Sequence, residues 1–144
     1  MIQNKPIPAI DNFDKEFWRS CKKNQLVVQH CGDCDIPRFP PRHMCPNCQS
    51  TKHKWNESSG NGTIWSFVIP RPPLLPIFEK ESPYVVALIQ LNEYENIRIV
   101  GRIKDHELKT PDIDSIKIGD EVKVKFEKIN SDIYIPFWII SKLD

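Results

Sequence analysis

The sequence predicts a mainly β protein with three consecutive parts: a short N-terminal helix, a metal-binding ribbon and a five-stranded barrel. Three observations support this prediction. Aromatic residues recur at helical spacing near the start, two CxxC pairs follow with ten residues between them, and the remaining chain alternates β-branched runs with turn residues. The three parts are predicted to cover residues 1–24, 25–58 and 59–144.

The first part is predicted to form one helix of about 12 residues, with Asp11 as its N-cap and Asn24 as a left-handed stop. Its apolar stripe consists of Phe13, Phe17, Trp18 and Cys21. A helix of this length is marginal alone, so the stripe packs either on the protein's own core or in a partner's groove. Cys21 is expected to be a small core residue rather than a reactive thiol.

The second part begins with a strand, Leu26–His30, that leads into the cysteines. A polar segment of this length cannot bury a core of its own and needs a staple. The staple is expected from Cys31, Cys34, Cys45 and Cys48. Two residues between ligands let one turn direct both sulfurs at the same ion while backbone N–H groups support the thiolates. Two such turns complete a tetrahedral metal site.

Two disulfides, or a redox CxxC beside an unrelated cysteine pair, are the alternatives. The start of the sequence has no apolar signal segment, so we expect no export and a cytoplasmic location, where disulfides are disfavoured. Redox motifs also do not normally occur as matched pairs. Because all four ligands come from the protein, the site is predicted to be closed and structural, holding Zn²⁺ or alternatively iron.

The third part is predicted to contain five strands bounded by turn residues. They are Thr63–Pro70, Tyr84–Leu91, Ile97–Lys104, Glu121–Ile129 and Ile133–Ser141, with a turn or short helix near Asp112–Ile118. Gly101, between isoleucines of one strand face, predicts a bulge or tight bend. Among all-β architectures of this size, the five-stranded OB-fold barrel fits best.

Charge and motif content narrow the possible functions. Lys and Arg total 20 against 19 Asp and Glu, a formal charge of +1, and a four-thiolate metal site would change it to about −1. This near-neutral balance disfavours nucleic acid as a ligand. No apolar stretch approaches the ~20 residues needed to cross a bilayer. The sequence also shows no nucleophile with its base, so catalysis by this chain alone is not expected.

Three arginines of the third part, Arg71, Arg98 and Arg102, are the candidate ligand-binding residues. Arginine suits phosphate because its planar fork donates two hydrogen bonds at once. The alternative is an ordinary solvated strand face. The apolar segment Pro70–Phe78 is stiff enough to insert into a partner, or it forms a packed lid on the barrel.

The ordered set of motifs resembles a family of small proteins that pair a rubredoxin-like zinc ribbon with an OB-fold and serve as accessory subunits of thiolases and other acyl-CoA enzymes. The resemblance covers nearly the whole chain and rests on the aromatic helix, the strand into Cys31-x-x-Cys34, Pro37-Arg38, Pro41-Arg42, Cys45-Pro46-x-Cys48, Trp55, Ser59-Gly60-x-Gly62-Thr63, Ser82–Ala87, Ile118–Val122 and Phe126. The chain departs from the family at Asp35 and Gln49, which replace the glycine often found after each cysteine pair, and in a longer loop at Asn92–Asn96.

The resemblance implies a non-catalytic partner of a thiolase-like or acyltransferase subunit, with ribbon and helix docked on the enzyme. The resemblance also implies that the OB-fold lies near the coenzyme A site of the enzyme. We expect Arg71, Arg98 and Arg102 to contact the coenzyme. The alternative is an OB-fold nucleic-acid module, in which Trp65, Phe67, Tyr84 and Arg98 would form the binding surface.

Overall fold

The computed structural model describes residues 6–141. Residues 1–5 and 142–144, which belong to the first and third predicted parts, lie outside the described residues. The elements are α1 (Lys15–Lys22), β1 (Leu26–Cys31), β2 (Pro37–Arg38), β3 (His53–Ser58), β4 (Asn61–Val68), α2 (Pro76–Glu79), β5 (Val85–Leu91), β6 (Arg98–Ile103), β7 (Glu121–Lys128) and β8 (Tyr134–Ile140), with a 3₁₀ turn at Ile113–Ser115. The predicted mainly β class is confirmed.

Helix α1 begins later than predicted because two aspartates share the cap. The Asp11 N–H donates to Asp14 Oδ1 at 3.0 Å, and the Asp14 N–H donates to Asp11 Oδ1 at 3.3 Å. This reciprocal arrangement forms a turn that leads into the helix. Asn24 has a φ of 59° and ends the element as predicted. Phe17 and Cys21 are buried in the chain's own core, and burial raises the pKa of the Cys21 thiol to about 12.

The ribbon is a three-stranded antiparallel sheet in the order β2-β1-β3. Every residue of its central strand β1 is buried, including the polar Gln29 and His30. Strand β3 was not predicted, because its residues are mostly polar and show no apolar alternation.

The barrel closes in the order β4-β5-β6-β8-β7, and the one parallel pair among these strands, β6 with β8, is made through Ile103 and Trp138. All five strands lie within two residues of their predicted bounds. Inward-facing residues such as Ile89 and Ile99 lie directly opposite each other on neighbouring strands and are buried. The predicted five-stranded OB-fold barrel is therefore confirmed.

Gly101 has a different role from the one predicted. The pairing of β6 with β5 continues through Gly101 without a shift, and the register shift lies in β4 between Ile64 and Ser66. A Cβ at position 101 would lie 2.6 Å from Nε1 of the fully buried Trp138. The glycine is required because this indole packs directly on the strand backbone.

Helix, ribbon and barrel share one core. Phe17 of α1 and Val28 of β1 belong to the same buried cluster as Ile89 and Trp138 of the barrel. The loop between β5 and β6 adds polar contacts to this junction, because Tyr94 Oη lies 3.4 Å from His30 Nε2 and Glu93 accepts hydrogen bonds from Ser58 Oγ and the Ser59 N–H. In residues 6–141, no helix is long and apolar enough to cross a membrane.

Candidate metal centre

Four cysteine sulfurs converge at one end of the ribbon. The Sγ atoms of Cys31, Cys34, Cys45 and Cys48 all lie within 4.8 Å of one another. The distance is 3.5 Å between Cys31 and Cys48 and 3.6 Å between Cys34 and Cys45. A tetrahedral ion with 2.3 Å bonds to sulfur requires neighbouring sulfurs to be roughly 3.8 Å apart. The four side chains therefore fit a metal ion held entirely by thiolates.

The two CxxC turns, called knuckles here, have the same backbone design. The Cys31 N–H donates to the Ile36 carbonyl at 3.0 Å, and the Cys45 N–H donates to the Ser50 carbonyl at 2.8 Å. In each knuckle the residue four positions after the first cysteine has a left-handed backbone, with φ 61° at Asp35 and φ 63° at Gln49. The two replacements of the family's glycine thus adopt the glycine conformation.

The knuckle backbone favours the thiolate form of the first cysteine in each pair. The N–H groups of Cys34 and Asp33 donate to Cys31 Sγ at 3.5 and 3.4 Å and lower the pKa of that thiol to about 6. Backbone N–H groups of Cys48 and Asn47 lower the pKa of Cys45 in the same way. These N–H groups are the backbone support for thiolates that the CxxC spacing predicts. A cysteine binds a metal in its thiolate form.

Polar side chains join the two knuckles to each other. Ser50 Oγ donates to Asp33 Oδ2 at 2.6 Å, and Lys52 Nζ lies 3.0 Å from Asp33 Oδ1. These contacts hold the pKa of Asp33 below its usual value. The first and second knuckles are therefore connected outside the metal site as well as through it.

Gln29 in β1 fixes the segment between the knuckles. Its Oε1 accepts a hydrogen bond from Arg38 Nε at 2.5 Å and another from the Arg42 N–H at 2.9 Å. Sequence reasoning did not identify Gln29. The signal was a single amide inside the apolar run of a buried strand, which indicates a side chain with a specific hydrogen-bonding role.

The three candidate ligand-binding arginines do not form one cluster of free cations. Arg98 and Arg102 both lie on the outer face of β6, where Arg98 stacks on Trp65 and Arg102 pairs with Glu81 and lies over Tyr84. Arg71 is exposed in the segment after β4.

The fold and the cysteine cluster define a two-part protein, a rubredoxin-like zinc ribbon followed by an OB-fold barrel. Family models agree with this description. Residues 18–53 match the ChsH2 rubredoxin-like zinc ribbon domain, and residues 55–127 match the ChsH2 C-terminal OB-fold domain. The chain belongs to this zinc-ribbon and OB-fold family, also called DUF35.

Relatives of two kinds share this pair of domains. The chain is 41% identical over 135 residues to a probable enoyl-CoA hydratase alpha subunit of Thermomonospora curvata, covering 92% of this chain and 39% of that protein. It is 34% identical over 121 residues to a DUF35 domain-containing scaffold protein of Methanocaldococcus jannaschii, covering 80% of this chain and 77% of that protein. The chain thus spans about two-fifths of the first relative and most of the second.

A solved structure titled "Ltp2-ChsH2(DUF35) aldolase" is similar over nearly the whole fold. It superposes with a TM-score of 0.81 at 30% sequence identity, covering 94% of this chain and 99% of that chain. A second solved structure, a DUF35 family protein of unknown function from Sulfolobus solfataricus, has a TM-score of 0.57 at 16% identity and supports the fold alone.

Proposed function

We propose that this chain is a non-catalytic accessory subunit of a complex that acts on acyl-CoA or related acyl substrates. The observation that supports it is the similarity, with a TM-score of 0.81, to the DUF35 chain of a structure titled as a two-protein aldolase. The hydratase alpha subunit matches over only 39% of its length, whereas the scaffold protein matches over most of its length. We infer that the segment shared with the hydratase subunit has the scaffold role named for the second relative.

The proposed partner is a thiolase-fold or other acyl-CoA-processing catalytic subunit. The names of the relatives add hydratase and aldolase to the thiolase and acyltransferase reactions that the resemblance implies. Docking through ribbon and helix stays a prediction. Because the Phe17 and Cys21 stripe is buried within the chain, the helix could contribute only its outer side to such an interface.

We propose that Cys31, Cys34, Cys45 and Cys48 bind Zn²⁺ in a closed structural site. A site with four protein ligands has no open coordination position, which fits a role in rigidity rather than catalysis. Metal analysis of the purified protein by mass spectrometry should give one zinc per chain. Iron at the same stoichiometry would replace zinc in this proposal, and no metal at all would contradict it.

Coenzyme A contact through Arg71, Arg98 and Arg102 also stays a prediction. Changing all three to Ala should weaken coenzyme binding per assembled complex, measured at subunit concentrations that keep the complex together, and leave its metal content unchanged. Unchanged coenzyme affinity would contradict the assignment.

The test of the accessory role is affinity purification of the tagged full-length chain from its native cell extract, followed by mass spectrometry. We expect a stoichiometric acyl-CoA-processing subunit. Recovery of nucleic acid, or of nothing, would contradict the role. Nucleic acid is the second candidate ligand because Trp65 is exposed on the outer face of the barrel with Arg98 stacked on it.

A further inference from the structure

The outer surface of β4, β5 and β6 has an aliphatic centre. Directly paired residues of neighbouring strands point to the same side of a sheet. Val68 pairs with Val86, and Leu88 pairs with Val100, so these four side chains lie together on the outside of the barrel. Val68 and Val100 are 60% and 61% exposed. These four residues are called the barrel face.

Arginines supported by aromatic rings lie at two sides of the barrel face. The Arg98 guanidinium is 3.9 Å from the centre of the Trp65 ring, and that of Arg102 is 4.0 Å from the Tyr84 ring. Arg102 also pairs with Glu81. Within residues 6–141 no carboxylate pairs with Arg98, and its buried Nε has no hydrogen-bond partner. Arg98 is therefore held in place by stacking while its charge is uncompensated.

The barrel face is continuous with a larger apolar cleft. A shallow depression of about 220 Å³ lies over the four aliphatic residues, and a cleft of about 370 Å³ beside Trp18 of α1 shares Val86 and Val100 with it. Contiguous exposed apolar surface of this kind marks an interaction site in soluble proteins.

We propose that the barrel face is the surface on which the catalytic subunit docks, and this inference rests on the accessory role proposed above. The partner surface is an apolar patch carrying a carboxylate opposite Arg98. An aliphatic centre edged by arginine and by the exposed ring of Trp65 is the composition that protein interfaces favour, because Arg and Trp contribute much of the binding energy. Stacking of Arg98 and Arg102 on rings reduces the side-chain entropy lost on binding.

Two other occupants fit this surface less well. Single-stranded nucleic acid needs several aromatic platforms in a positive groove, whereas the centre of the barrel face is aliphatic. A second copy related by two-fold symmetry would place the same surface against itself. The carboxylates of Glu81 and Glu127 beside this surface already pair with Arg102 and Lys104, so a second copy offers Arg98 a poorer ionic partner than a carboxylate on a different subunit.

The test measures the affinity of the purified full-length chain for the acyl-CoA-processing subunit recovered in the affinity purification. Val68→Asp and Val100→Asp should each weaken binding at least ~30-fold, because a carboxylate would be buried in an apolar contact. The matched control is Ile118→Asp, a residue 66% exposed outside the barrel face, which should change the affinity less than ~2-fold. Arg98→Ala should weaken binding and reduce its dependence on salt concentration.

Circular dichroism and metal content of each variant establish that it is folded. If folded Val68→Asp and Val100→Asp bind the catalytic subunit as tightly as wild type, the barrel face is not the docking surface, although the accessory role stands. A wild-type dimer in analytical ultracentrifugation that Val100→Asp dissociates, with subunit binding unchanged, would assign the face to a second copy. If the two valine variants lose binding to a labelled 20-nucleotide single strand but still bind the catalytic subunit, the barrel face is a nucleic-acid surface. Failure to recover any acyl-CoA-processing subunit would overturn the accessory role and the docking proposal together.

Discussion

Strand β1 of the ribbon and strand β5 of the barrel are both central strands, but different interactions hold them. Gln29 and His30 of β1 are buried polar residues, and their side chains contact Arg38 and Tyr94. The inward residues of β5, among them Ile89, are apolar and belong to the buried core cluster. The first half of β1 shares the apolar core of the barrel through Leu26 and Val28, whereas the knuckle end of the ribbon is expected to depend on the proposed metal and a few specific polar contacts.

Removal of the metal should produce the largest difference in stability between the ribbon and the barrel. A structural zinc site contributes about 10–16 kcal/mol of binding free energy to folding, so chelation or Cys45→Ser should disorder residues 31–50. Amide NMR spectra should show the loss of these signals while those of β5 and β7 persist. Cys21→Ala is the matched control, because Cys21 lies outside the cluster and should leave the metal bound. Simultaneous loss of the barrel signals would show that the two regions fold as one unit.

The second experiment creates a cavity in the barrel and leaves the metal site unchanged. Ile89 is fully buried, and Ile89→Ala should lower the free energy of unfolding by about 2–5 kcal/mol. Denaturant titration measures this change, and metal analysis of the folded variant should still give a full site. Leu88→Ala, at the outward-facing neighbour, should cost less. A variant that loses its metal without unfolding would contradict the distinction between the two regions.

The same difference between ribbon and barrel explains which features of the structure could be predicted from the sequence. The barrel strands were predicted to within two residues, because apolar alternation is a local signal that reports burial directly. The knuckles were predictable because their chemistry fixes the spacing of the cysteines. Strand β3 and Gln29 were missed, since their roles depend on partners distant in the chain.

The positions of the arginines were unpredictable for a related reason. Residues 98 and 102 share one face of a strand by simple alternation, but alternation could not show that each arginine is stacked on a ring or that Arg102 is already paired. Likewise, the barrel face arises from the register of three strands, and the register shift in β4 determines which of its residues point outward.

The junction between the regions should give a smaller, pH-dependent effect. Burial opposes ionisation of Glu93, but hydrogen bonds from Ser58 Oγ at 2.6 Å and the Ser59 N–H at 2.8 Å outweigh it and lower the pKa of Glu93 below 4.5. The ionised Glu93 carboxylate therefore stabilises the folded protein above pH 4.5, the pKa of this group in the unfolded chain. This stabilisation is lost as the pH falls through the lower pKa of Glu93 in the folded protein. Glu93→Gln should therefore cost about 1 kcal/mol at neutral pH.

Unfolding free energies at a series of pH values between 3 and 7 (roughly the range over which carboxylates titrate) test this prediction. The difference between wild type and Glu93→Gln should shrink toward the acid end. Glu95→Gln, in the same loop, is the control and should follow the wild-type curve. A constant difference across the whole range would assign the effect to packing rather than to the charge.

The smallest expected effect compares the two knuckles with each other. Gln49 and Asp35 occupy matching left-handed positions. Gln49→Gly should stabilise the metal-loaded protein by about 0.5 kcal/mol, because glycine removes the steric cost of this backbone but loses more entropy on folding. Asp35→Gly should stabilise less or destabilise, because Asp35 Oδ1 lies 2.9 Å from Lys54 Nζ and 3.4 Å from His30 Nδ1. Equal changes in melting temperature for the two variants would mean that these contacts of Asp35 contribute nothing, and that backbone conformation alone governs both turns.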